Sequence, residues 1–171
     1  MATVDLNKSI LDYIYECPVV AKDPMYFGVA EEKDNNNQLL VNREQPRDAI
    51  EFIDGTVERV YRAEILMYKS VAYNPIVIEE DSAGKVSPSP LYPNENIEDM
   101  VDGQTLIDWI KEQNENRHFP NFGSECIIES VETTSNRPTF NGVNVSLESP
   151  LAQFSVGLVI TYLDTSKQLW K

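Results

Sequence analysis

Val57-Glu58-Arg59-Val60-Tyr61-Arg62-Ala63-Glu64-Ile65-Leu66-Met67-Tyr68 is the stretch that decides the fold. Its odd positions become apolar after Arg59, while its even positions mix charge with bulky side chains. A period of two is the pattern of a long strand with one buried face. The pattern has room to run to Tyr73, before Pro75. Phe52-Ile53-Asp54-Gly55 reads as the turn that leads into it.

Upstream, Asp5 is placed to cap a helix by accepting the orphan amide protons of the next turn. Leu6, Ile10, Ile14 and Cys17 follow at helical spacing and give one apolar stripe that stops at Pro18. Met25 to Ala30 reads as an aromatic strand, Asp34 to Asn37 as a turn, and Gln38 to Asn42 as a returning strand before Pro46.

Downstream, residues 79–95 read as a long exposed acidic loop, because Pro88, Pro90 and Pro93 deny it regular pairing. A second helix is expected from Ile97 to Arg117, with Gly103 as a point of potential interruption. Leu106, Trp109, Ile110 and Gln113 share one side of it, with Ile107 beside them, and Phe119-Pro120 ends it. Trp109 and Tyr61 are expected to be largely buried, with the helix packed on the sheet. Two strands close the chain. Cys126, Ile128 and Ser130 share one face of the first, and Phe154, Val156, Leu158, Ile160 and Tyr162 share one face of the second.

The order is helix, two or three strands, loop, helix, two strands. Elements that do not alternate strictly favour an α+β fold: one domain over residues 1–171, with a mostly antiparallel sheet flanked by two main helices. The 171 residues suffice for one self-supporting core.

Composition narrows the function. The net charge is −14, and more than half of it lies between Glu79 and Glu115, where ten acids meet only Lys85 and Lys111. Such a surface repels phosphate, so no duplex-DNA binding is expected. The run Val156 to Ile160 falls far short of the ~20 residues a spanning helix needs, so no membrane partner is expected. Met1 to Lys8 lacks a basic start followed by an apolar stretch, which predicts a protein that stays where it is made.

No chemistry-bearing constellation is legible. Cys17 and Cys126 are too few for a disulfide framework or a structural zinc site, and read as ordinary reduced residues. His118, in Asn-Arg-His-Phe-Pro, reads as a polar cap at a helix exit. The seven glycines form no phosphate loop, and Glu79-Glu80-Asp81 lacks the alternating ligands of a calcium loop. The expectation is no enzyme, with no catalytic, cofactor-binding or metal-ligating residues and no cofactor.

Three segments nevertheless carry a resemblance. Phe52-Ile53-Asp54-Gly55 and the strand after it resemble the Ile-Asp-Gly lead-in of the minor capsid (neck) proteins of Gram-positive-type phages. Leu106-Ile107-Asp108-Trp109-Ile110-Lys111-Glu112-Gln113, with Pro120 soon after, is similar to that family's tryptophan-containing helix. Leu151 to Tyr162 resembles its closing strand. They are spread from Phe52 to Tyr162, a span of about two-thirds of the chain, in the family's order; the Pro-rich loop and the Asn-rich turn have no counterpart.

The resemblance implies a tail-terminator-like fold and a structural virion protein. It implies a homo-hexameric ring that ends the tail tube and joins it to the head connector, touching tube and sheath proteins while DNA passes through unbound. Such a protein is assembled in the host cytoplasm and resides in the virion neck. Tyr13, Tyr15, Tyr92 and Trp170 are candidate contacts for the ring, and the 79–95 loop for a neighbouring one. The alternatives are another neck, head-completion or tail subunit of a phage, an acidic enzyme or ligand-binding domain, or an acidic inhibitor that mimics DNA.

Overall fold

The computed structural model describes residues 5–28, 37–42, 47–70, 77–80, 86–89, 95–144 and 151–169. In chain order the elements are α1 (Leu6–Ile14), β1 (Met25–Phe27), β2 (Asn37–Asn42), β3 (Arg47–Glu51), β4 (Val57–Ser70), β5 (Val77–Glu80) and β6 (Val86–Ser89). They continue with α2 (Glu95–Glu115), β7 (Cys126–Thr133), β8 (Thr139–Asn144) and β9 (Leu151–Asp164). The chain is an α+β domain.

Strands β4 and β9, 14 residues each, pair antiparallel along their whole length, from Val57 opposite Asp164 to Ser70 opposite Leu151. Alternation puts Val57, Tyr61, Ala63, Ile65 and Met67 on the buried face of β4. Phe154, Val156, Leu158, Ile160 and Tyr162 do the same on β9. Each long strand then carries two short ones on its outer edge: β2 and β3 on β4, β7 and β8 on β9. β1 adds to β2 in parallel, so the seven-stranded sheet is mixed.

Three strands of the seven-stranded sheet depart from what the sequence predicts. β3 begins just past Pro46, where the pattern was expected to break, and β8 was not expected at all. Its Asn and Gly residues are poor strand formers, and a register shift between Phe140 and Gly142 absorbs a residue there, with Gly142 at φ 128°. In β7 a second shift, between Ile128 and Ser130, turns Val131 rather than Ser130 into the core. The extra residue reverses the alternation.

Part of the region expected to be one long loop is regular. β5 and β6 form an antiparallel ribbon, with Ile78 opposite Pro88, and α2 starts at Glu95. In a two-stranded ribbon both strands are edges, so a proline without an N–H is tolerated where the ladder needs no donor. Residues 81–85 and 90–94 lie outside the described residues.

The helices cover the apolar face. Asp5 caps α1 as expected, its Oδ1 accepting the N–H groups of Asn7 (3.0 Å) and Lys8 (3.2 Å). Ile10, Tyr13 and Ile14 are buried from α1, and Cys17 follows from the turn after it. Tyr61 of β4 is buried and its Oη donates to Asn7 Oδ1 at 2.7 Å, tying sheet to helix. α2 packs on β7 and β9. It runs unbroken through Gly103, and its buried stripe is Gly103, Leu106, Ile107 and Ile110. Trp109 lies at the margin of that stripe. It is partly buried and packs against the core, its ring centroid 5.1 Å from that of Tyr13. Neither helix is long and apolar enough to cross a membrane.

Gly103 is a close-approach position. A Cβ there would lie 2.7 Å from Cγ of Pro138, a buried residue of the β7–β8 connection. In an exposed helix interior Gly→Ala gains about 1 kcal/mol. Here the sign is reversed: Gly103→Ala is expected to lower the urea midpoint. A midpoint equal to or above that of the parent would show that the connection yields freely.

Candidate functional site

The turn between β3 and β4 is built by one carboxylate. Gly55 N–H donates to the Phe52 carbonyl (3.0 Å) and Phe52 N–H to that of Thr56 (2.9 Å). Asp54 Oδ1 accepts the Thr56 N–H (3.0 Å), and Oδ2 accepts the Thr56 hydroxyl and the Gln168 amide, each at 3.1 Å. The backbone N–H of Thr56, then the Gln168 amide, hold the Asp54 carboxyl below its ordinary pKa. The Asp54 carbonyl accepts Leu169 N–H at 2.8 Å, so the same residue docks the C-terminal segment. Gly55 has φ 84°, and a Cβ on it would lie 2.5 Å from the Lys167 carbonyl oxygen. Asp and Gly of the Ile-Asp-Gly sequence therefore have local structural roles. Ile53 has none, and it is fully exposed (101%).

Around it the sheet exposes further apolar side chains. Ile50, Glu58, Leu163 and Ile127 lie opposite one another in a row across β3, β4, β9 and β7. Ile50 is 51% and Ile127 56% exposed, and Phe52 and Leu169 are exposed near the turn. Fully burying a side chain of this kind gains about 1.5–3 kcal/mol. A fixed turn that presents a bare isoleucine, near the exposed Ile50, Phe52, Ile127 and Leu169, has the character of a contact surface.

The polar candidates take structural positions. His118 Nε2 lies 2.6 Å from Glu16 Oε2, with both side chains about half exposed, and clasps the exit of α2 to the turn after α1. Cys17 is buried and Cys126 partly so; both thiols are free, and burial pushes both pKa values up, away from the reactive thiolate. Among the described residues no group of three or more His, Cys, Asp or Glu could hold a metal ion. Tyr13, expected as a candidate contact, is instead a core residue, because it sits between the α1 stripe and Trp109. Tyr15 is partly exposed and its Oη donates to the Asp23 carbonyl at 3.0 Å. Tyr92, Trp170 and Asp81 lie outside the described residues, as do the side chains of Glu79 and Glu80.

One cluster was not legible in the sequence. Lys69 extends the buried face of β4 past Met67, and its side chain is 4% exposed. Its Nζ donates to Asp23 Oδ2, from the segment before β1, and lies 3.0 Å from Asp102 Oδ2 of α2. Burial pulls the Lys69 pKa down, but hydrogen bonds and charge from Asp23 and Asp102 outweigh it and leave the pKa above its ordinary value. The sequence signal was its odd position in the β4 alternation, masked by its charge.

For the apolar end, Ile53→Asp is expected to leave folding stability within about 0.5 kcal/mol, as for other surface changes, while weakening self-association in sedimentation velocity. Unchanged association would place the contact surface elsewhere. No protein-family model matches this chain, and no curated protein matches it.

Proposed function

We propose that this protein is a structural subunit of a tailed-phage virion, which assembles as a six-membered ring, terminates the tail tube and joins it to the head connector. The observation that carries the reading is the exposed apolar end: Ile53, Phe52, Ile50, Ile127 and Leu169 in a chain of net charge −14. Acidic subunits repel one another, so contacts between copies need locally apolar surface to prevail. A closed ring satisfies the same surface on every copy and leaves none to drive open-ended growth. The acidic balance suits a passage through which DNA slides without being held.

The three segments that resemble phage neck proteins also support the reading by their positions. Ile53-Asp54-Gly55 forms the exposed turn, Leu106 to Gln113 the packed part of α2, and Leu151 to Tyr162 the central strand β9. Tube, sheath and connector proteins are the partners of such a ring, and the virion neck is its location. Deleting the gene from a phage that carries it is the test in the assembled particle. The expected result is tails of irregular length together with DNA-filled heads that lack tails. Normal-length tails joined to heads would refute the role.

A further inference from the structure

Lys69, Asp23 and Asp102 come from three separate parts of the chain and meet beneath the sheet. Asp23 is fixed on several sides. Its N–H donates to the Val20 carbonyl at 3.3 Å, and its own carbonyl accepts from Tyr15 Oη at 3.0 Å and Gln38 Nε2 at 3.5 Å. Gln38 is fully buried; its Nε2 also donates to the Val20 carbonyl at 2.8 Å, and its Oε1 has no hydrogen-bond partner among the described residues.

The two carboxylates hold the Lys69 ammonium against the cost of its burial, yet a buried salt bridge gains little over apolar packing. A buried acceptor without a donor adds a further cost. An amine, a carboxyl group held against it and a second carboxylate within hydrogen-bond reach are instead the groups that side-chain amide formation needs. We propose that Lys69 and Asp23 join in an intramolecular isopeptide bond, with Asp102 carrying the protons.

Asp102 takes a proton from the Lys69 ammonium, because the charged amine has no lone pair to attack with. It passes that proton to the Asp23 carboxylate, making it an electrophilic acid. Nζ attacks Cγ of Asp23, the N–C bond forms, and Asp102 accepts the second proton from nitrogen. It returns this proton to the departing oxygen, the C–O bond breaks and water leaves. Ammonium and carboxylate become amide and water, Asp102 ends ionised as it began, and nothing is oxidised or reduced. Fixed neighbours of this kind react as though at effective concentrations on the order of 10⁵–10⁸ M. The product replaces the buried Lys69 charge and the largely buried Asp23 charge by a neutral amide. Its N–H stays beside Asp102, whose carboxylate can accept it. The bond would close a loop between positions 46 residues apart and fasten the segment before β1 to the end of β4.

Intact-mass and tandem mass spectrometry of the full chain test this. The expected mass is that of the sequence less one water, with a tryptic fragment in which the Asp23 and Lys69 peptides are joined. Lys69→Arg keeps the positive charge and is expected at its full sequence mass, as is Asp102→Asn. A wild-type chain at full mass would overturn the bond. So would a lost water mapping to Asp54-Gly55 or Asp102-Gly103, where cyclisation of the aspartate gives the same mass change. Water still lost from Asp102→Asn would overturn the role of Asp102.

Discussion

The full-length pairing of β4 with β9 is the constraint on which the other elements depend. Two 14-residue strands in one unbroken register fix ten core side chains on one face, from Val57 and Tyr61 to Ile160 and Tyr162. A slip of one residue would turn each of them outward, so the register is set as strongly as the core itself. The short strands borrow their order from this pair, two along each outer edge. The helices close the apolar face, and they meet the sheet through specific polar ties as well as packing. Asn7 bonds Tyr61, and Asn114 Oδ1 accepts the Val131 N–H at 2.9 Å where the β7 ladder resumes after its bulge.

Legibility in the sequence followed this hierarchy. β4 and β9 were readable because long alternation survives isolated exceptions such as Arg59. That exception is itself explained by its ion pair with Asp164 at 3.2 Å. The α1 cap and stripe were readable because capping and helical period are local. β3, β8 and the β5–β6 ribbon were not, since short strands are formed by their partners, β6 and β8 carry Pro, Gly or Asn that speak against them, and β3 follows Pro46 directly. The bulge in β7 and the rotation of the α2 stripe away from Trp109 depend on tertiary fit, which periodicity alone does not encode.

The candidate surfaces divided the same way. The Ile-Asp-Gly turn was visible, but its division of labour was not: Asp54 and Gly55 hold the C-terminal segment and leave Ile53 bare. Ile127 and Leu169 become part of the same end only once β7 and the C-terminal segment are placed in space. Lys69 was hidden for the opposite reason, since a charged residue at the end of an apolar run reads as its solvent-exposed boundary. Its burial depends on two aspartates, 46 residues upstream and on a distant helix.

An acidic protein with an apolar end must resolve two opposed tendencies, repulsion between like-charged copies and burial of exposed isoleucine and phenylalanine. A closed ring does so if the apolar contacts are local and the acidic faces are turned to solvent or to the passage. Native mass spectrometry of the purified protein across a range of salt concentrations tests that most directly. The expected result is a discrete six-copy species that gains population as salt screens the repulsion. A strictly monomeric protein at every concentration and ionic strength, including in the presence of tail-tube ends, would contradict it.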